Sequence, residues 1–303
     1  QGVSSAASDV YKRQIVPFPG GASTLDSVVR TLAPEMSRAL GVPVVVDNRA
    51  GAGTVIGVDA TAKASDGRTI GTVANSFTVN QTLVKNLPYD TVRDLQPVVL
   101  MARTANVLAV RPELPVATLG ELIAYAKRNP GKLSYGSFGN GTTAHFAGEM
   151  LKSAAGVFMV HIPYRGQGPA LTDLIGGNID MMFGNLPDFL PHIRSGKLKA
   201  LGTTYLTRAP LAPDIPTVAE QGFPGFETDS WYGVIAPASM PRETVERINA
   251  AINRALEDPA VRRNLSERGI ESIGGTSMRL GEHIRSEIAK YAKIVRDSGM
   301  QID

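Results

Sequence analysis

Short apolar stretches alternate along the chain with longer stretches whose apolar residues recur every three or four positions. The first pattern is typical of buried strands and the second of amphipathic helices. Strands are predicted at residues 15–18, 43–47, 69–74, 157–162, 179–183, 199–203 and 231–236, and helices at residues 26–40, 55–64, 119–128, 147–155, 170–175, 241–256, 259–268 and 280–295. Residues 95–110 hold two further apolar runs, which residues 103–106 separate. This alternation predicts an α/β protein with mostly parallel sheets.

The length of 303 residues is sufficient for two such α/β lobes. We predict that residues 14–105 and 231–303 form lobe 1 and that residues 106–230 form lobe 2. The ligand cleft would then lie between the lobes, and the two chain crossings would act as a hinge. Residues 1–13 are polar and without pattern, and they lack the apolar stretch of a signal peptide, so we assign them to neither lobe.

Composition excludes several functional classes. The 31 basic residues exceed the 28 acidic ones by three and form no run, so no nucleic-acid partner is expected. The chain has no cysteine, which excludes disulfides and thiolate chemistry. No apolar run approaches the roughly 18 residues of a membrane helix. The histidines lack metal-ligand spacing, so neither a metal nor a cofactor is expected. These histidines are His145, His161, His192 and His283.

The glycine-rich segment of residues 135–145 carries the strongest candidate site. A short strand ends there in a glycine turn, and two threonines precede a helical pattern. Backbone N–H groups, hydroxyls and the positive end of a helix dipole would surround one point, which suits an anion. The candidate binding residues are Ser137, Gly139, Gly141, Thr142 and Thr143. A plain glycine turn with a threonine N-cap is the alternative explanation.

An earlier segment, residues 15–24, repeats the same order of strand, glycine turn and helix. Its candidate binding residues are Phe18, Gly20, Gly21, Ser23 and Thr24. The alternative is an ordinary β–α turn in which Asp26 caps the helix. Two such loops, far apart in the chain, suggest two lobes that close on one small negatively charged ligand.

Two other interpretations of the motifs have less support. The glycines of residues 51–57 have dinucleotide-binding spacing, but the next predicted strand leads into Asn75 and not into an acidic residue. Tight helix–strand packing explains those glycines better. Ser137 and His145 could form the nucleophile and base of a hydrolase, yet the G-x-S-x-G turn of such enzymes is missing. We therefore assign no catalytic residue.

Several motifs occur in an order that resembles a known family. They are VPFPGG at residues 16–21, VDNRAGAG at 46–53, DGRT at 66–69, NPGKLSYGS at 129–137, GTTAH at 141–145, HIPYRG at 161–166, PTVAEQG at 216–222 and WYG at 231–233. Over residues 15–303 the chain resembles the Bug family of extracytoplasmic solute receptors, the binding subunits of tripartite tricarboxylate transporters. One departure lies in the first loop, where Asp26 follows Gly21 by five positions and not by the usual three.

The resemblance implies a two-lobed type II periplasmic-binding-protein fold and a receptor that is not an enzyme. It implies that a small carboxylate (a di- or tricarboxylate, an amino acid or an aromatic acid) is held between the lobes. It further implies a periplasmic location, a monomer, and membrane transporter subunits as partners. Asn75, Tyr164, Gly166 and Asn185 match additional positions at the ligand. A ligand-sensing module for signalling on the same fold is the alternative.

Overall fold

The computed structural model describes residues 11–21 and 23–298, and these residues divide into two compact units. Of the described residues, unit 1 contains 11–21, 23–103, 231–266 and 271–291, and unit 2 contains 104–230, 267–270 and 292–298. Two short C-terminal segments thus belong to unit 2, although the sequence pattern placed all of residues 231–303 in lobe 1. Most of the N-terminal segment that we assigned to neither lobe, residues 1–10, lies outside the described residues.

Strands and helices alternate through both units. The strands are β1 (Lys12–Val16), β2 (Val44–Asn48), β3 (Thr69–Val73), β4 (Leu95–Val110), β5 (Ser134–Ser137), β6 (Val160–Pro163), β7 (Met181–Asn185), β8 (Lys199–Thr203), β9 (Asp229–Pro237) and β10 (Glu271–Ser272). The helices are α1 (Thr24–Leu40), α2 (Val55–Ala62), α3 (Asn75–Leu83), α4 (Leu119–Arg128), α5 (Thr143–Ala155), α6 (Gln167–Ile175), α7 (Leu186–Arg194), α8 (Arg242–Glu257), α9 (Pro259–Glu267) and α10 (Ser277–Ser298). None of the helices in the described part of the chain has the length and apolarity to span a bilayer.

Unit 1 is built on three parallel strands, with β1 between β2 and β3. β9 pairs antiparallel with β3, and β10 pairs antiparallel with β4. Trp231 and Phe77 lie in the buried core of this unit together with Leu280 of α10. Since β1 and β2 end side by side at Val16 and Asn48, the turns that follow them start from the same edge of the sheet.

Unit 2 is built on β5, which lies between its parallel neighbours β6 and β7. β4 adds to this sheet as an antiparallel partner of both β7 and β8. The last residue of β5, Ser137, is paired with the last residue of β6, Pro163. In open α/β sheets, ligands bind outside the carboxyl ends of the parallel strands, so this edge is where a site is expected.

The structure corrects several predicted elements. β4 is one continuous strand, although polar residues at 103–106 suggested a break between two runs. α3 and α7 were not predicted at all. β1 begins at Lys12, three residues before the predicted strand, and α1 begins at Thr24. The capping residue of α1 is Ser23 and not Asp26, because the Ser23 side chain accepts a hydrogen bond from the Asp26 N–H.

Candidate functional site

The predicted binding residues of unit 2 gather at the carboxyl edge of its parallel strands. Ser137 ends β5, Tyr164 follows β6, and Asn185 ends β7. The backbone N–H of Tyr164 donates to the carbonyl of Ser137 over 3.0 Å, which ties the first two turns together. Residues that are nearly fifty positions apart in sequence therefore start from one edge of one sheet.

The N-terminus of α5 lies directly after the glycine turn and has no side-chain cap. Thr142 has the extended backbone of an N-cap residue (φ −83°, ψ 162°), but its side chain makes no capping hydrogen bond. Its hydroxyl donates to the carbonyl of Gly139 over 2.7 Å. Helix α4 shows the usual arrangement, in which Thr118 accepts from the N–H of Glu121. The first N–H groups of α5 are therefore left for another acceptor, and the helix dipole favours a negatively charged one.

Gly139 and Gly141 shape the turn that leads into α5. Their φ values are +130° and +74°, a region that side chains other than hydrogen strongly disfavour. The N–H of Gly141 donates to Nδ1 of His145 over 3.2 Å. His145 thus supports the turn from one helical turn further on.

Ser137 contacts a histidine, but not His145, which was considered with it in the hydrolase interpretation. Its Oγ lies 2.7 Å from Nε2 of His161, whose ring is stacked between those of Tyr135 and His145, with centroid separations of 4.8 and 4.0 Å. Burial, with a smaller contribution from the neighbouring His145, lowers the pKa of His161 to about 3. A group with so low a pKa is a weak base at neutral pH, so this serine–histidine pair is poorly suited to hydrolysis.

Of the remaining predicted residues of unit 2, Tyr164 and Asn185 make polar contacts within the unit. The hydroxyl of Tyr164 donates to Asp173 over 2.7 Å, and burial together with this bond raises the pKa of Tyr164 to about 12. Gly166 is the N-cap of α6 and contributes no side-chain cap. The backbone N–H of Asn185 donates to the side chain of Gln167, which in turn donates to Asp188.

In unit 1, the glycine turn after β1 already contains a carboxylate of the protein itself. Asp26 is 1% exposed and accepts hydrogen bonds from the N–H of Gly21, from Asn48 and from Arg30, each 2.8 Å long. Burial alone would raise the pKa of Asp26, but these donors hold it below its ordinary value. Because Ser23 caps α1, a backbone N–H in its first turn has a side-chain acceptor, which the first turn of α5 lacks.

The other predicted residues of unit 1 have mixed surroundings. Phe18 is half-buried and its carbonyl accepts from Asn48, whereas Gly20 is exposed and packs so closely on Asn48 that a Cβ would contact it. Thr24 is buried in the first turn of α1. Asn75 begins α3, where its amide donates to the hydroxyl of Tyr291 and accepts from the N–H of Trp231.

Sequence reasoning missed several residues that organise these loops. His161 was noted within a motif but not as the partner of Ser137, and Asn106 and Ser230 were named as the bounds of lobe 2 but not as site residues. Both residues belong to unit 2: Ser230 is the last residue before the chain passes into unit 1, and Asn106 is the third residue after the chain first enters unit 2. Within the described residues, no group of three or more His, Asp or Glu side chains could hold a metal ion.

These two α/β units define a two-lobed solute-binding protein of the periplasmic type. The more specific identity comes from comparison. Residues 28–300 match the model of the tripartite tricarboxylate transporter family receptor, and the chain belongs to that family. It is 38% identical to Protein BugT of Bordetella pertussis, over 96% of this chain and 90% of that protein.

Two solved structures from Rhodopseudomonas palustris are similar to this chain over most of its length. One was solved with adipate, is 34% identical, has a TM-score of 0.91, and covers 96% of this chain and 98% of its own. The other is MatC with bound malate, which is 30% identical, has a TM-score of 0.88, and covers 94% of this chain and 99% of its own. The predicted family and fold class are thereby confirmed.

Proposed function

We propose that this receptor binds a small organic carboxylate at the N-terminus of α5. The observation that carries the proposal is the missing side-chain cap. Directly after a glycine turn, α5 begins with backbone N–H groups from which the N-cap side chain accepts no hydrogen bond. One carboxylate matches the number and charge of those groups. The adipate and malate in the two related structures support the same ligand class.

The receptor would act in the periplasm and deliver its ligand to the membrane subunits of a tripartite tricarboxylate transporter. The name of the family supports this partnership. We propose that it performs no turnover, since the buried His161 is too weak a base to activate Ser137. The participation of the unit 1 residues Phe18, Gly20, Gly21, Ser23, Thr24 and Asn75 in the same site stays a prediction of the sequence.

The proposal can be tested with a substitution that gives α5 a side-chain cap. In a Thr142→Asp variant, the new carboxylate would accept from the first N–H groups of α5, as aspartate does at N-caps generally. We expect carboxylate affinity, measured by calorimetry against succinate, citrate, glutamate and benzoate, to fall at least tenfold. The melting temperature should stay the same or rise, because a capped helix with a favourable charge is more stable.

Two controls make the result specific. Thr142→Asn provides a cap of similar shape without the charge, so it should weaken binding less than Thr142→Asp does. Thr118→Asp places the same charge on α4, which is already capped, and should leave the affinity unchanged. If Thr142→Asp bound the acids as tightly as the unchanged protein, α5 would not be the carboxylate site. If no acid bound to the folded protein, the proposed ligand class would be wrong.

A further inference from the structure

The hydroxyl protons beside the start of α5 are all used within the protein. The proton of Thr142 goes to the carbonyl of Gly139. The hydroxyl of Ser137 has two neighbours, the carbonyl of Gly139 at 3.2 Å and Nε2 of His161 at 2.7 Å. Whichever tautomer His161 adopts, the single proton of Ser137 has an acceptor inside the protein. Neither hydroxyl is therefore left as a donor to a ligand.

The third hydroxyl, that of Thr143, belongs to a buried network with Ser230, Asn185 and Asn106. The Nδ2 group of Asn106 donates to Oδ1 of Asn185 at 2.9 Å and to Oγ of Ser230 at 3.2 Å. Ser230 donates its own proton to Oδ1 of Asn185 at 2.7 Å. The 2.9 Å bond between Ser230 and Thr143 must then be donated by Thr143, because Ser230 has no second proton.

This direction does not depend on how the two amides are assigned. If the nitrogen and oxygen of both Asn106 and Asn185 were exchanged, Ser230 would accept from Asn185 and donate to Asn106. Its proton would again be used, and Thr143 would again be the donor to Ser230. The network therefore fixes the Thr143 hydroxyl as a group that offers only lone pairs to anything else in the site.

One buried side-chain atom of the same network has no partner in the part of the chain that the structure describes. The side-chain oxygen of Asn106 is buried and accepts no hydrogen bond from any residue within 11–21 or 23–298. Asn106 itself is 0% exposed. A buried polar atom without a partner costs free energy in either assignment of the amide, so the preference for a donor rests on Thr143.

We propose that Ser230 determines ligand specificity by holding Thr143 as an acceptor, so that the receptor prefers carboxylates carrying a hydroxyl or ammonium donor close to the bound carboxylate. This inference rests on the proposed function, because it needs a carboxylate at α5. An acid without such a substituent would have only its carboxylate oxygens to place near the lone pairs of Thr143, and these would repel each other. A hydroxy or amino acid places a donor there, and Ser230 is a positioning residue that acts through Thr143.

The test compares acids that share one carbon skeleton and differ in one substituent. Succinate, malate and aspartate carry hydrogen, hydroxyl and ammonium at the same carbon, and calorimetry gives their affinities. If another carbon skeleton binds more tightly, its unsubstituted, hydroxy and amino forms are compared instead. We expect the hydroxy or amino form to bind at least tenfold more tightly than the unsubstituted acid. The difference between the hydroxy and amino forms tells which donor the site takes.

The variant that tests the role of Ser230 is Ser230→Ala, which frees the hydroxyl proton of Thr143 for a hydrogen bond to the carboxylate. Its preference for the substituted acid should fall to less than threefold, whereas a purely structural role would weaken all three acids alike. Thr143→Val removes the acceptor and should also abolish the preference, which covers a failure of Ser230→Ala to fold. Thr61→Ala removes a buried hydroxyl of α2 in unit 1 and should leave the preference unchanged.

The outcomes separate this inference from the proposed function. If succinate binds as tightly as malate and aspartate, or if Ser230→Ala keeps the preference, the inference is wrong while carboxylate binding stands. If none of the acids binds the folded protein, the proposed function and the inference both fall.

Discussion

The buried carboxylate of Asp26 should be one of the largest single contributors to the stability of unit 1. It accepts three hydrogen bonds of 2.8 Å, from the Gly21 N–H and Arg30 Nε at one oxygen and from Asn48 at the other. In Asp26→Asn, the new NH₂ group must face at least one of these donors. Losing charge assistance on two bonds costs roughly 1 kcal/mol each, and an unsatisfied buried donor adds about 1 kcal/mol or more. We therefore expect a loss of about 3 kcal/mol.

The assay is urea-induced unfolding of Asp26→Asn at pH 7, with Glu246→Gln as the matched control. Glu246 also pairs with an arginine four positions away, over 2.7 Å, but that pair lies on the exposed surface of α8, where such pairs contribute about 0.5 kcal/mol or less. Because the pKa of Asp26 is lowered on folding, its contribution is fully present above the ordinary value near 4 and is lost as the pH falls through the folded value. The difference in the free energy of unfolding between the unchanged protein and Asp26→Asn should therefore shrink as the pH falls through the folded pKa of Asp26. A loss no larger than that of Glu246→Gln would refute the reasoning.

Three further predictions concern packing, backbone strain and pH. Gly184→Ala should lower the free energy of unfolding by about 2 kcal/mol or more in urea titrations, because a Cβ there would overlap a buried phenylalanine ring. Ala52→Gly should raise that free energy by about 0.5 kcal/mol, since Ala52 has a φ of +46°, whereas Ala60→Gly within α2 should lower it by about 1 kcal/mol. Burial lowers the pKa of His145 to about 4 and that of His161 to about 3. Just below pH 6.5, these two histidines therefore bind protons in the unfolded chain but not in the folded one. Stability should therefore fall from pH 6.5 to pH 5, and replacing both histidines with glutamine should flatten this part of the profile; an unchanged slope would contradict the assigned burial.

Elements with strong local signals were predicted from sequence, and elements that depend on distant contacts were not. Helix α4 has a threonine cap, a glutamate in its first turn and a wide apolar face, and its predicted bounds match the structure. Helix α3 has almost no polar–apolar contrast, because its asparagine, serine and threonine side chains are buried along with its apolar ones. Helix α7 contains two prolines, which argue locally against a helix. Tertiary packing stabilises both of these segments.

The polar interruption in β4 was misread for a related reason. Residues 103–106 look like a loop because they include an arginine, a threonine and an asparagine. In the structure, the Thr104 hydroxyl donates to the carbonyl of Gly269, and the side-chain amide of Asn106 donates to the hydroxyl of Ser230. Polar side chains that find such partners can stay in a buried strand. These partners are about a hundred or more positions away in the chain, so no local sequence pattern predicts them.

The site shows the same limit in its chemistry. The sequence placed hydroxyls and glycines before a helix, which was enough to predict an anion-binding loop after β5. It could not tell which of those hydroxyls donate, since that depends on Ser230, which is 87 positions from Thr143, and on His161, which is 24 positions from Ser137. If the protons are held as the network requires, the charge of a carboxylate at α5 would be met there by backbone N–H groups and not by the hydroxyls of Ser137, Thr142 and Thr143. The side chains then discriminate among carboxylates by what else the ligand can donate, so affinity and specificity would respond to different substitutions.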